Sequence, residues 1–187
     1  MKKNIILGIT GSVAAIKTPP LVTALSKFAN VRVIITRHAE YFIQSEYEHL
    51  KQLGVHVCKD NDEWPALQTR YQVSEPILHI EMRRWADIMI VAPMDANTLA
   101  KIVHGFCDNL LTSTLRAWDW GKPVILCPAM NTMMWDNPPT AEHISAMKKR
   151  GAKIIEPVEK KLACNDVGMG AMAQVDEIAK IAEKLLA

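Results

Sequence analysis

Short apolar runs, each followed at once by a turn and a helix-compatible stretch, recur along this chain and limit its fold more than any other feature. Residues 5–9 (IILGI), 31–36 (VRVIIT), 88–92 (IMIVA) and 124–127 (VILC) are dominated by Ile, Val and Leu. Runs of that length, without strict alternation, suit strands buried on both faces of a parallel sheet. Shorter strands are expected at 55–58 and 153–155. Between them the pattern predicts helices over about 13–28, 39–53, 77–85, 97–103, 108–118, 140–150 and 175–186. Pro19 and Pro20 should bend the first helix or delay its regular part, and Gly151 should stop the sixth. Residues 59–65 read as a polar loop. This alternation argues for an α/β fold: a three-layer, doubly wound parallel sheet, Rossmann-like or flavodoxin-like, in a single domain over residues 1–187. No repeat or linker interrupts it.

Composition narrows the functional classes. With 22 Lys and Arg against 20 Asp and Glu, the formal charge is +2, and no nucleic-acid partner is indicated. No apolar run reaches the roughly 18–20 residues that cross a membrane. The start MKKNIILGIT resembles a signal peptide only superficially, because its apolar run is short and leads straight into Gly11 and Ser12. The cysteines at 58, 107, 127 and 164 have neither a zinc spacing nor a compact disulfide framework. Reduced thiols, no metal and a cytoplasmic location are the expectation.

Groups suited to a ligand follow the strands. In open α/β sheets such strand ends gather along one edge. Gly11 allows close backbone approach, Ser12 offers a hydroxyl and the next helix start favours an anion, so this turn suits a phosphate. Thr36 and Arg37 are further candidates at the end of the second strand. The fingerprint Gly-x-Gly-x-x-Gly is incomplete, since Gly8 lies in the strand and no third Gly follows. That favours a mononucleotide such as FMN over a dinucleotide. Asn97 and Thr98 bring an amide and a hydroxyl after the third long strand, where N-capping is the plainer role for Asp95 or Asn97. After the fourth, Asn131 can hold a small carboxylate while Met130, Met133, Met134 and Trp135 shape an apolar wall. Cys164 lies in a Gly- and Met-rich loop that could act as a mobile lid. His79 has Arg83 four residues along the same predicted helix.

Three ordered motifs carry a resemblance. Pro128, Met130, Asn131, Met134 and Trp135 match a Pro-x-Met-Asn-x-x-Met-Trp motif. Pro93, Ala96, Asn97 and Thr98 match Pro-x-Ser-Ala-Asn-Thr, with Asp95 in place of the Ser. Ala163, Cys164, Asp166, Gly168 and Gly170 match a loop Ala-Cys-Gly-Asp-x-Gly-x-Gly, with Asn165 in place of a Gly. The segment HIEMRRWAD, residues 79–87, resembles a catalytic-His segment. Together these resemble the homo-oligomeric flavin-containing cysteine decarboxylases, from about Asn4 to the C-terminal helix and most weakly over 40–76.

The resemblance implies FMN as cofactor, held by Gly11, Ser12, Val13, Thr36, Asp95, Ala96, Asn97, Thr98 and Ala129. It implies a substrate held by Asn131, Met134 and Ala163, with His79 and Cys164 catalytic. The implied reaction converts 4'-phosphopantothenoylcysteine to 4'-phosphopantetheine in coenzyme A biosynthesis, in a homotrimer with the flavin near a subunit boundary. A carboxylate facing a phosphate would repel it, so Asp95 is expected to turn away, cap a helix or meet a cation. Other members of the wider group decarboxylate peptidyl cysteine, prenylate flavin or regulate a protein phosphatase. The coexistence of His79, Asn131 and Cys164 disfavours those alternatives.

Overall fold

The structure, a computed structural model, describes residues 2–65, 73, 75–161 and 167–187. Strand β1 (Lys3–Ile9) leads through a 3-10 turn (Val13–Lys17) into α1 (Thr18–Ser26), and β2 (Ala29–Ile35) into α2 (Arg37–Phe42) and α3 (Tyr47–Gln52). Strand β3 (His56–Lys59) precedes α4 (Asp60–Glu63) and α5 (Leu78–Trp85), and β4 (Ile88–Met94) precedes α6 (Ala96–His104) and α7 (Leu110–Arg116). Strand β5 (Val124–Pro128) is followed by α8 (Thr132–Trp135) and α9 (Pro138–Lys149). The chain continues through β6 (Lys153–Ile154), β7 (Val158–Lys161) and β8 (Val167–Ala171), and ends in α10 (Val175–Leu186).

The first six strands form one parallel sheet in the order β3-β2-β1-β4-β5-β6. This is the doubly wound order that the alternation predicts, and its direction reverses between β1 and β4. Register follows the apolar pattern, with Leu7 beside Val33 on one side and Ile90 on the other. Successive strand residues point to opposite faces, and two cores result. Ile5, Leu7 and Ile9 pack with α1, α2, α3 and α10 on one face. Ile6, Met89, Val91 and Leu126 pack with α5, α6, α7 and α9 on the other. Ile5, Ile6, Leu7, Leu21, Leu25 and Ile90 are fully buried. Each such side chain contributes about 1.5–3 kcal/mol relative to exposure.

Local differences from the sequence reading have physical causes. Pro19 and Pro20 delay the regular helix, one of the two expected outcomes, and do not bend it. The stretch after Ser12 is a 3-10 turn, and the prolines fall in the first turn of α1, where a missing N–H breaks no helical bond. The helix expected over 39–53 divides into α2 and α3, and the chain turns at Ile43 to bury that side chain as well as Leu50. Residues 59–65 contain the one-turn helix α4, closed by the Lys59 N–H donating to Asp62 Oδ2 at 2.7 Å.

Beyond β6 the chain forms an antiparallel hairpin, β7–β8, where only a loop was expected. It docks on the segment after β5, with the Met130 N–H donating to the Gly170 carbonyl at 3.0 Å. Gly170 has φ +143°, and a Cβ there would collide with the Met130 carbonyl oxygen. Only glycine permits both the conformation and the approach. Gly170→Ala should therefore leave the six-stranded sheet folded but detach the hairpin. Hydrogen exchange should show protection at the Met130 amide falling about thirtyfold or more, roughly 2 kcal/mol, with the β1 amides unchanged.

Candidate active site

Parallel neighbours cannot be joined by a tight hairpin, so the carboxyl ends of β1 and β4 are tied by side chains. Thr10, fully buried, donates its hydroxyl to the Pro93 carbonyl at 2.9 Å and accepts the Asp95 N–H at 2.7 Å. Asp95 then bridges two elements. Its Oδ1 accepts the Thr98 N–H at 2.6 Å, capping α6, and its Oδ2 accepts the Gly11 N–H at 2.9 Å. The carboxylate is thus the expected cap and also the partner of the Gly-Ser turn. A Cβ at Gly11 would approach the His38 Cβ to 2.8 Å, so glycine lets this turn sit against the start of α2.

A cavity of about 440 Å³ opens at this β1/β4 crevice, within the usual size range for a small-molecule or cofactor site. The Gly-Ser turn, Asp95, Ala96 and the segment 129–131 form part of its wall, and Phe42, Met134 and Met172 form apolar walls. The Ser12 hydroxyl accepts the Ala14 N–H at 3.4 Å. Val13 opens the 3-10 turn, so its amide has no carbonyl within that turn to bond. Asn131 Oδ1 accepts the Met133 N–H at 2.8 Å, which fixes the side chain with its amide nitrogen as the donor end.

Two lysines that the sequence reading passed over face the same cavity. Lys17 ends the 3-10 turn and Lys160 lies on β7. Burial, and then the neighbouring charge of Lys160, lower the pKa of Lys17. Among the described residues neither makes an ion pair. Two such cations at one mouth suit an anionic group. The signal in the sequence was the spacing of Lys17 from Ser12, but Lys160 could be placed beside it only by the hairpin.

Of the residues singled out in the sequence, Gly11, Ser12, Val13, Asp95, Ala96, Ala129, Asn131 and Met134 line the cavity. Thr36, Asn97, Thr98 and His79 do not. Thr36 is buried at the end of β2, and its carbonyl accepts the Ala39 N–H. Thr98 is buried with its amide bonded to Asp95, and Asn97 is exposed on the first turn of α6. Ala163 and Cys164 lie outside the described residues. The thiols of Cys58 and Cys127 are buried, and burial pushes Cys58 up to about 11 and raises Cys127 as well, so neither is a ready nucleophile. No group of three or more metal-ligating side chains occurs among the described residues.

His79 stands at the start of α5, whose body packs on the face opposite the 3-10 turn and α1. Its Nδ1 lies 2.6 Å from Glu63 Oε1, and its backbone N–H donates to Glu63 Oε2 at 2.8 Å. A helix that returns the chain to the next parallel strand runs against the strands, so its first residues lie at their carboxyl edge. His79 therefore shares the edge of the cavity but not its wall.

A family model described as Flavoprotein matches residues 1–187. The chain is 46% identical to mouse phosphopantothenoylcysteine decarboxylase over 187 residues, covering 99% of this chain and 88% of that protein. Among solved structures it is similar to a cysteine-to-serine variant of PPC decarboxylase complexed with pantothenoylaminoethenethiol. That match has a TM-score of 0.90 at 40% identity and covers 100% of this chain and 99% of that one. It is also similar to the FMN binding protein AtHal3, with a TM-score of 0.85 at 41% identity and coverage of 98% and 96%. With near-complete coverage on both sides, the chain belongs to the flavoprotein family and, within it, to the phosphopantothenoylcysteine decarboxylases.

Proposed function

We propose that this chain catalyses the FMN-dependent decarboxylation of 4'-phosphopantothenoylcysteine to 4'-phosphopantetheine, a carboxy-lyase step of coenzyme A biosynthesis. The observation that carries the reading is the β1/β4 cavity, which sets Asn131, Lys17 and Lys160 around the Gly-Ser turn. A relative of 40% identity and matching fold holds an aminoethenethiol, a product that has lost the carboxylate.

The residues present fit a flavin mononucleotide. The Gly-Ser turn, the Val13 amide, Ala96 and Ala129 offer small side chains and backbone groups along one wall, and Phe42 and Met172 offer apolar surface. Asp95 has both carboxylate oxygens bonded to amides, which disperses its charge beside that wall. The Thr98 N–H bonds to Asp95 of the wall, and the Thr36 N–H bonds to the Ile9 carbonyl just before the Gly-Ser turn. FMN, when bound, supplies reversible hydride chemistry.

The substrate's own chemistry assigns the remaining roles. An α-amido carboxylate has no electron sink, and oxidation of its cysteine side chain to a thioaldehyde creates one. His79 takes the thiol proton as the hydride leaves Cβ. Asn131 donates to the carboxylate and aligns the bond that breaks, while Met134 and Ala163 line the substrate. Loss of carbon dioxide sends the electron pair to sulfur and leaves an enethiol. Cys164 gives the proton that accompanies hydride return, so the cycle is redox-neutral. Lys17 and Lys160 take the substrate phosphate at the mouth of the cavity.

The 3-10 turn of the cavity wall and the helix that bears His79 lie on opposite faces of the sheet, and this motivates the second part of the proposal. The active unit is a homotrimer in which His79 of one copy meets the cavity of another. Val13, Ile16, Met133 and Met134, apolar and 43–76% exposed around the cavity, are covered in that assembly. No helix among the described residues is long and apolar enough to cross a membrane, and the proposed location is cytoplasmic.

Denaturation of the purified protein should release a flavin that chromatographs as FMN, and light scattering should give three chains per particle. A colourless protein that takes up no added FMN, or a fully active monomer, would count against these assignments. Variants should separate the half-reactions. His79→Asn should lower both carbon dioxide release and bleaching of the flavin by substrate by at least about 100-fold. Cys164→Ser should still release carbon dioxide but accumulate the enethiol, since a hydroxyl is a far poorer acid than a thiol of pKa about 8.5. Mass spectrometry distinguishes the enethiol from saturated 4'-phosphopantetheine. Saturated product at the parent rate would remove Cys164 from the mechanism.

A further inference from the structure

We infer that Glu63 is the positioning residue of the oxidative half-reaction: it selects the His79 tautomer that can act as a base. The inference rests on the reading of His79 as that base. Glu63 ends α4, in the stretch 59–65 that looked like a plain polar loop. Its side chain is only 5% exposed, whereas that of His79 is 25% exposed. A buried carboxylate is costly unless its oxygens find partners. Both of its oxygens contact the same residue, Oε2 receiving the His79 backbone N–H at 2.8 Å and Oε1 lying 2.6 Å from Nδ1. The first contact satisfies an amide in the opening turn of α5, which has no partner within the helix. The second decides the chemistry.

An ionised carboxylate only accepts hydrogen bonds, so Nδ1 must carry the proton. A neutral imidazole then has its lone pair on Nε2, the nitrogen turned away from Glu63. The double grip also sets the orientation of the ring, because the backbone contact fixes the carboxylate relative to the helix that bears the imidazole. When Nε2 takes the thiol proton, the adjacent carboxylate stabilises the imidazolium that forms. Glu63 does not line the cavity and acts through His79.

Glu63→Gln tests the assignment with little change in shape. A glutamine has one accepting end and one donating end. With its oxygen on the His79 backbone N–H, its amide group faces Nδ1 and forces the proton to Nε2. The experiment uses FMN-loaded protein with ¹⁵N-labelled histidine at pH 8, with the His79 resonances identified by their loss in His79→Asn. The unaltered protein should show a neutral ring protonated at Nδ1, and Glu63→Gln a ring protonated at Nε2. The same variant should retain its FMN content and its particle mass, while the rate of flavin bleaching by substrate falls at least about 100-fold. A His79 ring protonated at Nε2 or at both nitrogens in the unaltered protein would overturn the inference. So would a Glu63→Gln variant that bleaches flavin at the parent rate. The tautomer measurement requires no turnover, so a protein that never decarboxylates would defeat the functional reading while the Glu63 result still stood or fell separately.

Discussion

The tie between the carboxyl ends of β1 and β4 holds the rest of the site in place. Thr10 bonds to the Pro93 carbonyl and to the Asp95 amide, and Asp95 bonds to the amides of Gly11 and Thr98. Hydrogen bonds to a charged group contribute about 1.5–3 kcal/mol each, so this one carboxylate outweighs several ordinary contacts. A Ser hydroxyl at position 95 could cap α6 but could not readily reach both amides. The Asp thus sets the spacing between the Gly-Ser turn and α6, and with it the width of the crevice. Its negative charge is compatible with a flavin site because both oxygens are already committed to protein donors.

Once the crevice is set, the hairpin gives it a second wall. Gly170 brings β8 against Met130, and β7 carries Lys160 to the mouth where Lys17 already stands. Burial and the neighbouring charge of Lys160 together lower the pKa of Lys17. The cavity is largely apolar, with Ser12, Lys17, Asp95, Asn131 and Lys160 among its lining residues.

The doubly wound topology also divides the chemistry. The 3-10 turn and α1 lie on one face, and α5 with its His79 lies on the other. The proposed homotrimer would bring the two together across a subunit boundary. In that proposal the two contacts from Glu63 orient the imidazole from within its own chain.

Much of the architecture was legible in the sequence. The non-alternating apolar runs determined a parallel sheet buried on both faces, and the residues after them determined where ligand groups would gather. Their place after strands put Asn131, Ala96 and the Gly-Ser turn along one sheet edge, and all of them line the cavity although they are far apart along the chain. Tertiary structure alone decided how the polar groups are shared. Gly11 and Asp95 are separated by 84 residues, and nothing local to either shows that the amide of one is occupied by the carboxylate of the other. Glu63 and His79 are 16 residues apart, across a stretch with no periodic signal, so residues 59–65 read as a loop. The hairpin was hidden because β7 and β8 pair with each other, and β8 docks on the segment at Met130, contacts that no local pattern shows. Periodicity reports which side chains leave water, which is a property of each segment. Hydrogen-bond partners and the choice of face depend on contacts between segments, and those exist only once the chain has packed.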